Sequence, residues 1–363
     1  MSGVDREPTD TPPIVQGAEP RVVGPLLARS MYDQRWTDCR VALIPGGKSN
    51  LTYRVWSDAG EVILRRPPLT HVLPTAHDMG REYRVLSALH QTTVPVPRTL
   101  LLESENSELG VQFYVMERTV GHICREGLPP GYAETAAERA AIGETLVQVL
   151  ATLHAIDPES VGLQDFGRPE GFLERQVRRW SQQWERSKTE ELPALDELHE
   201  ALASSLPVTA HIGIVHGDYR LDNTMLHPTR PGEMVAVLDW ELSTLGDPLT
   251  DLGTLLVYWS ELDDDEMLVR ARIAPPVTAA SGFPSRAELI SRYRELTGFE
   301  VSGIGWYVAF AFFKLAIICQ GIATRVAGGA MLGPGFDLPE DVVEALIDAG
   351  RRHLDSCLID HWS

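Results

Sequence analysis

Lysine is scarce in this chain of 363 residues, which has only three lysines, Lys48, Lys188 and Lys314. Lysine and arginine together number 32 against 51 aspartates and glutamates, so the formal net charge is −19 at pH 7. Binding to nucleic acid or to an anionic membrane needs clustered cations that displace counterions. The composition therefore predicts no nucleic-acid partner and no membrane partner, and it is compatible with a cationic small molecule.

Cysteines are also few, and none of them forms a CxxC pair. The four cysteines, Cys39, Cys124, Cys319 and Cys357, lie far apart in the sequence. This spacing predicts neither a zinc site nor a disulfide framework. The opening residues MSGVDREPTDTPP lack the apolar core of a signal peptide. We therefore expect a protein of the reducing cytoplasm.

The length favours two lobes, because a single hydrophobic core seldom organises so many residues. Residues 1–24 are rich in Pro, Gly, Asp and Glu without apolar periodicity, which is typical of a mobile tail. Residues 25–118 show short alternating runs separated by turns, with a helical pattern at 77–90, and predict an antiparallel sheet of about five strands with one helix. Residues 119–363 are mostly helical, beginning with a long core helix at 137–156. The predicted fold class is α+β.

Two stretches of the helical part allow more than one interpretation. Residues 304–322 are apolar enough to resemble a membrane span, but Lys314 in the middle favours a buried helix. The acidic run at 263–266 is typical of a solvated loop or a helix start, and the alternative is that it lines a pocket for a cationic group.

Most of the interpretable chemistry lies in residues 215–241, where Asp218, Asn223 and Asp239 fall in a strand, loop, strand, turn, strand pattern. Each residue alone could be a cap, a turn residue or a strand end, but together they would bring three oxygen-bearing side chains to one mouth. Phosphoryl transfer needs a carboxylate for the acceptor hydroxyl and oxygen ligands for Mg²⁺. The separation of five residues between Asp218 and Asn223 is also that of the protein-kinase catalytic loop.

The motif HGDYRLDN, followed by VLDWE, resembles the signature of the aminoglycoside phosphotransferase family, which has a two-lobed protein-kinase-like fold. The resemblance implies that Asp218 is the catalytic base, that Asn223 and Asp239 bind Mg²⁺, and that His216 supports the loop. The continuation GDPLTDLG resembles a branch related to the kinase-like domains fused to some acyl-CoA dehydrogenases. In that branch Asp251 would be a structural partner of the loop.

The N-terminal half follows the same resemblance with one substitution. Residues 62–65 match the kinase strand V-A-I-K, except that Arg65 stands in the place of the lysine. Arginine is permanently charged and holds phosphate oxygens bidentately, although its wider fork sits differently from an ammonium. The helix that follows carries Glu82, which is the expected ion-pair partner of Arg65; the alternative is an exposed helix acid.

Four further residues are expected to contact the nucleotide by the same resemblance. A glycine-rich turn between the first two strands predicts that Gly46, Gly47 and Ser49 approach the nucleotide phosphates through backbone N–H groups. The GKS of this turn is not a Walker A motif, because Ala42 stands where glycine is required and a strand follows. Glu117 ends a strand that resembles the hinge holding adenine; the alternative is a simple edge strand.

The predicted function is ATP- and Mg²⁺-dependent transfer of a phosphoryl group to a hydroxyl of a small molecule, either an aminoglycoside or a hydroxyacyl thioester or other metabolite. An anionic acceptor would suit Arg175, Arg178 and Arg179, which otherwise form a solvated helix face. The main alternative is a nucleotide-binding pseudokinase, because the strand lysine and a GxGxxG loop are missing. A third interpretation is a hydrolase with His216 and Asp218 as metal ligands. Oligomeric state stays open.

Overall fold

The structure is a computed structural model that describes residues 16–45, 50–69, 78–188, 191–327, 338–339 and 341–357. The chain divides into two compact units. The first comprises Met1–Arg84 and Pro97–Arg118, and the second comprises Val85–Val96 and Thr119–Ser363. Each unit is described by itself below.

The first unit contains one antiparallel sheet of five strands in the order β1-β2-β3-β5-β4. Alternation builds this sheet: along β2, Tyr53 and Val55 are buried while their neighbours are partly exposed. The strands and helices are α1 Pro20–Ser30, β1 Arg40–Leu43, β2 Leu51–Ser57, β3 Gly60–Arg66, α2 Met79–Leu89, β4 Thr99–Glu103 and β5 Phe113–Glu117. Helix α2 crosses from the first unit into the second. The predicted sheet of about five strands is confirmed.

Helix α1 corrects the end of the predicted mobile tail of residues 1–24, because residues 20–24 are helical. It begins at Pro20, and Val23 belongs to the same buried cluster as residues of the sheet. Proline is favourable at the first position of a helix, where its missing N–H is not needed. A Cβ at Gly24 would lie 2.2 Å from the carbonyl oxygen of Thr37, so this glycine permits close packing. Pro20 and Gly24, which contributed to the predicted tail, thus belong to a packed helix. Residues 1–15 lie outside the described residues.

The second unit is mostly helical, with two short antiparallel strand pairs, β6 with β9 and β7 with β8. Its helices are α3 Ala136–His154, α4 Phe172–Ser187, α5 Pro193–Ser204, α6 Leu249–Val257, α7 Glu266–Arg270, α8 Arg286–Thr297, α9 Ile304–Ala327 and α10 Val342–Cys357. Its strands are β6 Gly213–Val215, β7 Thr224–His227, β8 Arg230–Val237 and β9 Thr244–Gly246. This composition confirms the α+β class.

Two helices show how the sequence builds the second unit. Helix α3 begins with a capping box between Thr135 and Glu138, which satisfies N–H groups that the first turn leaves without helical partners. Helix α9 is the apolar segment considered above as a membrane span. By length and composition Ile304–Val326 could cross a membrane, with a mean hydropathy of 1.7, yet 67% of its apolar window is buried within the fold. Core helices share this composition.

Candidate active site

The catalytic loop, residues 216–223, is held by hydrogen bonds to one buried carboxylate. Asp251, in the first turn of α6, accepts the backbone N–H of His216 at 2.6 Å and that of Gly217 at 2.8 Å. His154 of α3 lies 3.3 Å from the same carboxylate and 2.7 Å from the hydroxyl of Tyr293. Burial alone would raise the pKa of Asp251, but these hydrogen bonds and the nearby histidines lower it overall.

The ring of His216 is held by two backbone groups. Its Nδ1 accepts the N–H of Asp218 at 3.2 Å, so the ring proton is on Nε2, which donates to the carbonyl of Leu238 at 2.8 Å. The loop is thereby tied to the strand end that precedes Asp239. Because both ring nitrogens are engaged, His216 has no lone pair for a metal, and the arrangement does not support the metal-dependent hydrolase.

Gly217 allows the chain to turn between this anchor and Asp218. Its φ is +90°, and a Cβ there would lie 2.8 Å from the Cβ of Leu242. Both the conformation and the space suit a residue without a side chain. The glycine of the HGD motif is therefore required by the backbone path.

The three predicted site residues are brought to the same end of the catalytic loop, and we call this set the mouth of the loop. They are Asp218, Asn223 and Asp239. Asn223 donates through Nδ2 to the carboxylate of Asp218 at 2.7 Å and to its carbonyl at 2.8 Å. The carbonyl of Asn223 accepts the N–H of Leu238 at 2.8 Å, continuing the β7–β8 pairing and bringing Asp239 to the same end. Asp239 has a left-handed backbone with φ +65°. The side chain of Asp218 is 27% exposed.

The donor set of the mouth fits Mg²⁺. Because Nδ2 of Asn223 bonds to Asp218, its amide oxygen is the atom left to act as a ligand, and Asp239 supplies a carboxylate. Mg²⁺ prefers such hard oxygens and commonly binds through one or two carboxylates together with substrate phosphates. Among the described residues no group of three or more His, Cys, Asp or Glu could hold a metal by itself. Asn223 and Asp239 would thus hold Mg²⁺ together with a phosphate.

A cation lies beside Asp218 that the sequence analysis did not assign to the site, although it is part of the HGDYRLDN motif. Arg220 places Nε 3.3 Å from the carboxylate of Asp218 and 3.2 Å from that of Asp222, and its guanidinium stacks 4.3 Å above the ring of Tyr258. Burial alone would lower the pKa of Arg220, but Tyr258 and the carboxylates raise it overall. Burial raises the pKa of Asp222, which Arg220 opposes. Arg220 therefore balances the negative charge around Asp218.

Lys314 of α9 is another partly buried cation of the second unit. Its ammonium lies 5.4 Å from the ring centroid of Phe310. Burial lowers the pKa of Lys314, while Asp218 and Asp251 act in the opposite direction. The sequence offered one signal for this residue, a lone charge in an apolar helix, which was interpreted only as evidence against a membrane span.

In the first unit the predicted pair of Arg65 and Glu82 is in place, with 3.1 Å between Nε and the carboxylate. Glu82 also accepts hydrogen bonds from the side-chain amide of Asn50 at 2.8 Å and from the hydroxyl of Tyr114 at 2.9 Å. Glu82 is therefore not an exposed helix acid. It is a buried acceptor for side chains from β3, from β5 and from the residue before β2. Asn50 and Tyr114 carried no recognisable signal in the sequence.

For the remaining nucleotide contacts predicted from the sequence, the structure adds little. Gly46, Gly47 and Ser49 lie outside the described residues. Glu117 is at the end of β5, where its carboxylate accepts a hydrogen bond from Nε of Arg98 at 2.9 Å. Their roles in nucleotide binding stay predictions.

The acidic run at 263–266 starts helix α7, because Asp265 caps its first turn through the N–H of Met267. It also lines a cavity of about 210 Å³ with apolar walls from α6, α9 and α10. Two acids of the run are paired: Asp264 contacts Arg286 at 2.6 Å, and Asp265 lies 3.4 Å from Arg352. Glu261 and Asp263 line the cavity as well, so its carboxylates outnumber its arginines, and a pocket for a cationic group stays a prediction.

The arginines of α4 belong to a solvated face. Arg178 and Arg179 are exposed, and Arg178 lies 3.9 Å from Glu174 one turn earlier. Arg175 bonds to the backbone carbonyls of Arg168 and Glu170. None of these contacts indicates an anion site.

Comparison with known proteins agrees with this geometry. Residues 40–288 match the model of the APH family, described as a phosphotransferase enzyme family. The chain belongs to this family, which confirms the resemblance in HGDYRLDN and VLDWE.

Relatives also confirm the branch. The chain is 38% identical to acyl-CoA dehydrogenase family member 11 of Rattus norvegicus over 84% of its length and 39% of the relative. It is 36% identical to family member 10 of Mus musculus over 78% of its length and 26% of the relative. The chain thus spans well under half of these curated relatives.

Solved structures share the fold. A Ralstonia eutropha JMP134 protein assigned to the aminoglycoside phosphotransferases superposes with a TM-score of 0.74 at 35% identity, covering 88% of this chain and 93% of the other. A thermostable aminoglycoside phosphotransferase mutant in ternary complex with AMP-PNP and hygromycin B superposes with a TM-score of 0.57 at 14% identity, covering 92% and 98%. The second likeness concerns the fold alone.

Proposed function

We propose that this chain transfers the γ-phosphoryl group of ATP to a hydroxyl of a small molecule, with Mg²⁺ as cofactor. Membership of a phosphotransferase family supports the reaction class. The carrying observation is Asp218, a partly exposed carboxylate oriented by Asn223 at 2.7 Å in a loop anchored on buried Asp251. The complex of a fold neighbour with AMP-PNP supports a nucleotide as the donor.

In this reaction Asp218 accepts the proton of the acceptor hydroxyl while that oxygen bonds to the γ-phosphorus and ADP leaves. Asn223 holds the carboxylate in place, and the guanidinium of Arg220 lies 3.3 Å from it. When bound, Mg²⁺ neutralises phosphate charge, and Asn223 and Asp239 are its proposed ligands. Arg65, positioned by Glu82 at 3.1 Å, is proposed to bind the donor phosphates.

The geometry favours an active enzyme over a pseudokinase. The lysine expected on the third strand is absent, but Arg65 keeps a cation paired with the helix carboxylate at that position. The oxygen donors of the mouth are also intact. The alternative of a nucleotide-binding protein without transfer rests on the missing strand lysine and the missing GxGxxG loop.

Two acceptor classes agree with the comparisons. Fold neighbours are named for aminoglycosides, and the more similar curated relatives are named as acyl-CoA dehydrogenases. The second group favours a hydroxylated acyl compound, free or as a thioester. We also propose a cytoplasmic location, because the described cysteines Cys39 and Cys124 are free thiols.

The test is release of ADP from Mg-ATP by the full chain in the presence of aminoglycosides, hydroxycarboxylic acids and hydroxyacyl thioesters. We expect acceptor-dependent ADP release and a phosphorylated product visible by mass spectrometry, both abolished by EDTA and restored by excess Mg²⁺. Nucleotide binding without transfer to any of these classes would support the pseudokinase instead.

A further inference from the structure

The carboxylate of Asp251 has a third donor besides the two backbone N–H groups of the catalytic loop. Nε2 of His154 lies 3.3 Å from Oδ2, the same oxygen that accepts the N–H of His216 at 2.6 Å. On the other side of the imidazole, Nδ1 lies 2.7 Å from the hydroxyl of Tyr293. All three side chains are fully buried. They come from α3, α6 and α8, so residues distant in the sequence meet at one carboxylate.

The hydrogen positions in this chain follow from the ionisation of its two ends. Hydrogen bonds and the nearby histidines lower the pKa of Asp251, so its ionised carboxylate only accepts. Burial raises the pKa of Tyr293, so its hydroxyl keeps its proton. Nε2 of His154 therefore carries a proton that it donates to Asp251, and Nδ1 of the neutral ring accepts the proton of the Tyr293 hydroxyl. The hydrogen bonds thus run in one direction from Tyr293 to Asp251.

A second carboxylate near His154 is engaged by other donors. The charge of His154 acts on Asp247. Asp247 accepts the hydroxyl of Tyr307 at 2.8 Å and the N–H of Leu249 at 3.1 Å. Among the described residues, the ring of His154 makes its hydrogen bonds to Tyr293 and Asp251. The imidazole is therefore directed at the carboxylate that holds the catalytic loop.

Resting on the proposed function, we propose that His154, oriented by Tyr293, is a positioning residue for the catalytic base Asp218. The Nε2–H group fixes the rotation of the Asp251 carboxylate, so that its two oxygens meet the N–H groups of His216 and Gly217. Asp218 follows Gly217 directly, so a rotated carboxylate would displace the backbone that carries the base. A displacement of about 1 Å can lower a rate by about 10²-fold.

The kinetic test removes one hydrogen bond at a time, with Mg-ATP and an acceptor that the wild type phosphorylates. Tyr293→Phe removes one hydroxyl and keeps the ring that packs against Phe299. We expect its kcat to fall by on the order of tenfold, the range of one hydrogen bond. His154→Phe keeps a ring without a donor, and its kcat should fall by on the order of 10²-fold. His154→Gln retains an N–H near the position of Nε2 and should recover much of that loss. The KM for ATP should stay unchanged, because the buried imidazole does not contact the nucleotide.

Tyr307→Phe is the matched control. It also removes a buried tyrosine hydroxyl from a carboxylate, but that carboxylate is Asp247, and the bonds of Asp251 to the loop stay in place. We expect Tyr307→Phe and Tyr293→Phe to lower the thermal midpoint to a similar degree, whereas only Tyr293→Phe lowers kcat. Both variants are assayed well below their midpoints, so that a difference in kcat does not reflect the folded fraction.

Backbone amide signals report on the loop without turnover. In the full chain labelled with ²H and ¹⁵N, the N–H signals of His216 and Gly217 depend on their hydrogen bonds to Asp251. We expect both signals to shift, and both protons to exchange faster with solvent, in Tyr293→Phe and His154→Phe. His154→Gln should lie closer to the wild type. Tyr307→Phe should leave both signals unchanged.

A merely structural role of His154 predicts different results. Equal losses of kcat in Tyr293→Phe and Tyr307→Phe, no recovery by a folded His154→Gln, or amide signals that do not respond would each overturn the proposal. If neither variant of His154 folds, the two tyrosine variants decide the question. If the wild type phosphorylates no acceptor, the proposed function fails, and the amide signals alone decide whether His154 holds the loop.

Discussion

Two carboxylates of the second unit, Asp251 and Asp218, have different environments around the catalytic loop. Asp251 is fully buried and accepts two backbone N–H groups, with His154 beside it. Asp218 is 27% exposed, and its carboxylate contacts Asn223 and Arg220. The same type of side chain is therefore an anchor at Asp251, where its oxygens are saturated and buried, and stays accessible at Asp218, as the proposed catalytic base requires.

The largest expected effect concerns the accessible carboxylate. Asp218→Asn should lower kcat by about 10²–10⁴-fold, the usual contribution of a general base, because the amide cannot accept the hydroxyl proton. The thermal midpoint and the Kd for Mg-ATP should stay close to those of the wild type. Kinetics, calorimetry and nucleotide titration measure these quantities, and full turnover by the variant would remove Asp218 from its role.

For Asp251, the larger effect should be on stability and not directly on the chemical step. Asp251→Asn places an N–H₂ group against donors and leaves the buried network without its charge, so we expect a loss of about 3–5 kcal/mol in the free energy of unfolding. Denaturant unfolding followed by circular dichroism measures this loss. An unchanged unfolding midpoint would show that the loop does not depend on Asp251.

Unfolding at low pH tests whether the charge of Asp251 is what stabilises the fold. The pKa of Asp251 is lowered from its ordinary value of 3.8, so its ionised form stabilises the fold above that pH. This stabilisation is lost as pH falls through the lowered pKa. The difference in unfolding free energy between wild type and Asp251→Asn should therefore shrink below about pH 4. A constant difference at all pH values would point to packing instead of charge.

Gly217 connects the two carboxylates and should affect both stability and activity to an intermediate degree. Gly217→Ala introduces a Cβ 2.8 Å from that of Leu242 at a φ of +90°, which we expect to cost about 1–3 kcal/mol. Turnover should fall as well, because Asp218 follows directly. Gly127→Ala is the matched control, since a Cβ there meets nothing within 4 Å. Equal behaviour of the two variants would contradict the proposed turn requirement.

The smallest expected effect is in the first unit. There Glu82 is a buried carboxylate paired with Arg65, as Asp251 is a buried carboxylate in the second unit. Arg65→Met should raise the KM for ATP by on the order of tenfold, because a charged hydrogen-bond donor to phosphate is lost. Arg65→Lys should restore most of the binding, since lysine is the residue that kinase-like sheets carry there. If Arg65→Met binds ATP as the wild type does, Arg65 is a structural partner of Glu82 only.

Periodic patterns predicted much of the fold. The five strands of the sheet and the core helix at 137–156 were visible because alternation and a 3.6-residue stripe are local properties. Helix α1 was not visible, because Pro20 and Gly24 usually indicate a chain break. Only packing against Thr37 shows why that glycine is suited to the helix.

The site divides in the same way. The spacing of Asp218 and Asn223, and the strand end at Asp239, indicated the reaction because the catalytic geometry is built from a short segment. Arg220 was in view within the motif, yet nothing in the sequence showed that its guanidinium would lie 3.3 Å from Asp218. Contacts of that kind depend on side-chain directions.

The sequence by itself determined the phosphotransferase motif and the two-part α+β organisation, since both rest on local spacing and periodicity. The tertiary structure decided which acids are sealed and which remain accessible, because burial and hydrogen bonding depend on residues distant in the sequence, such as His154 beside Asp251.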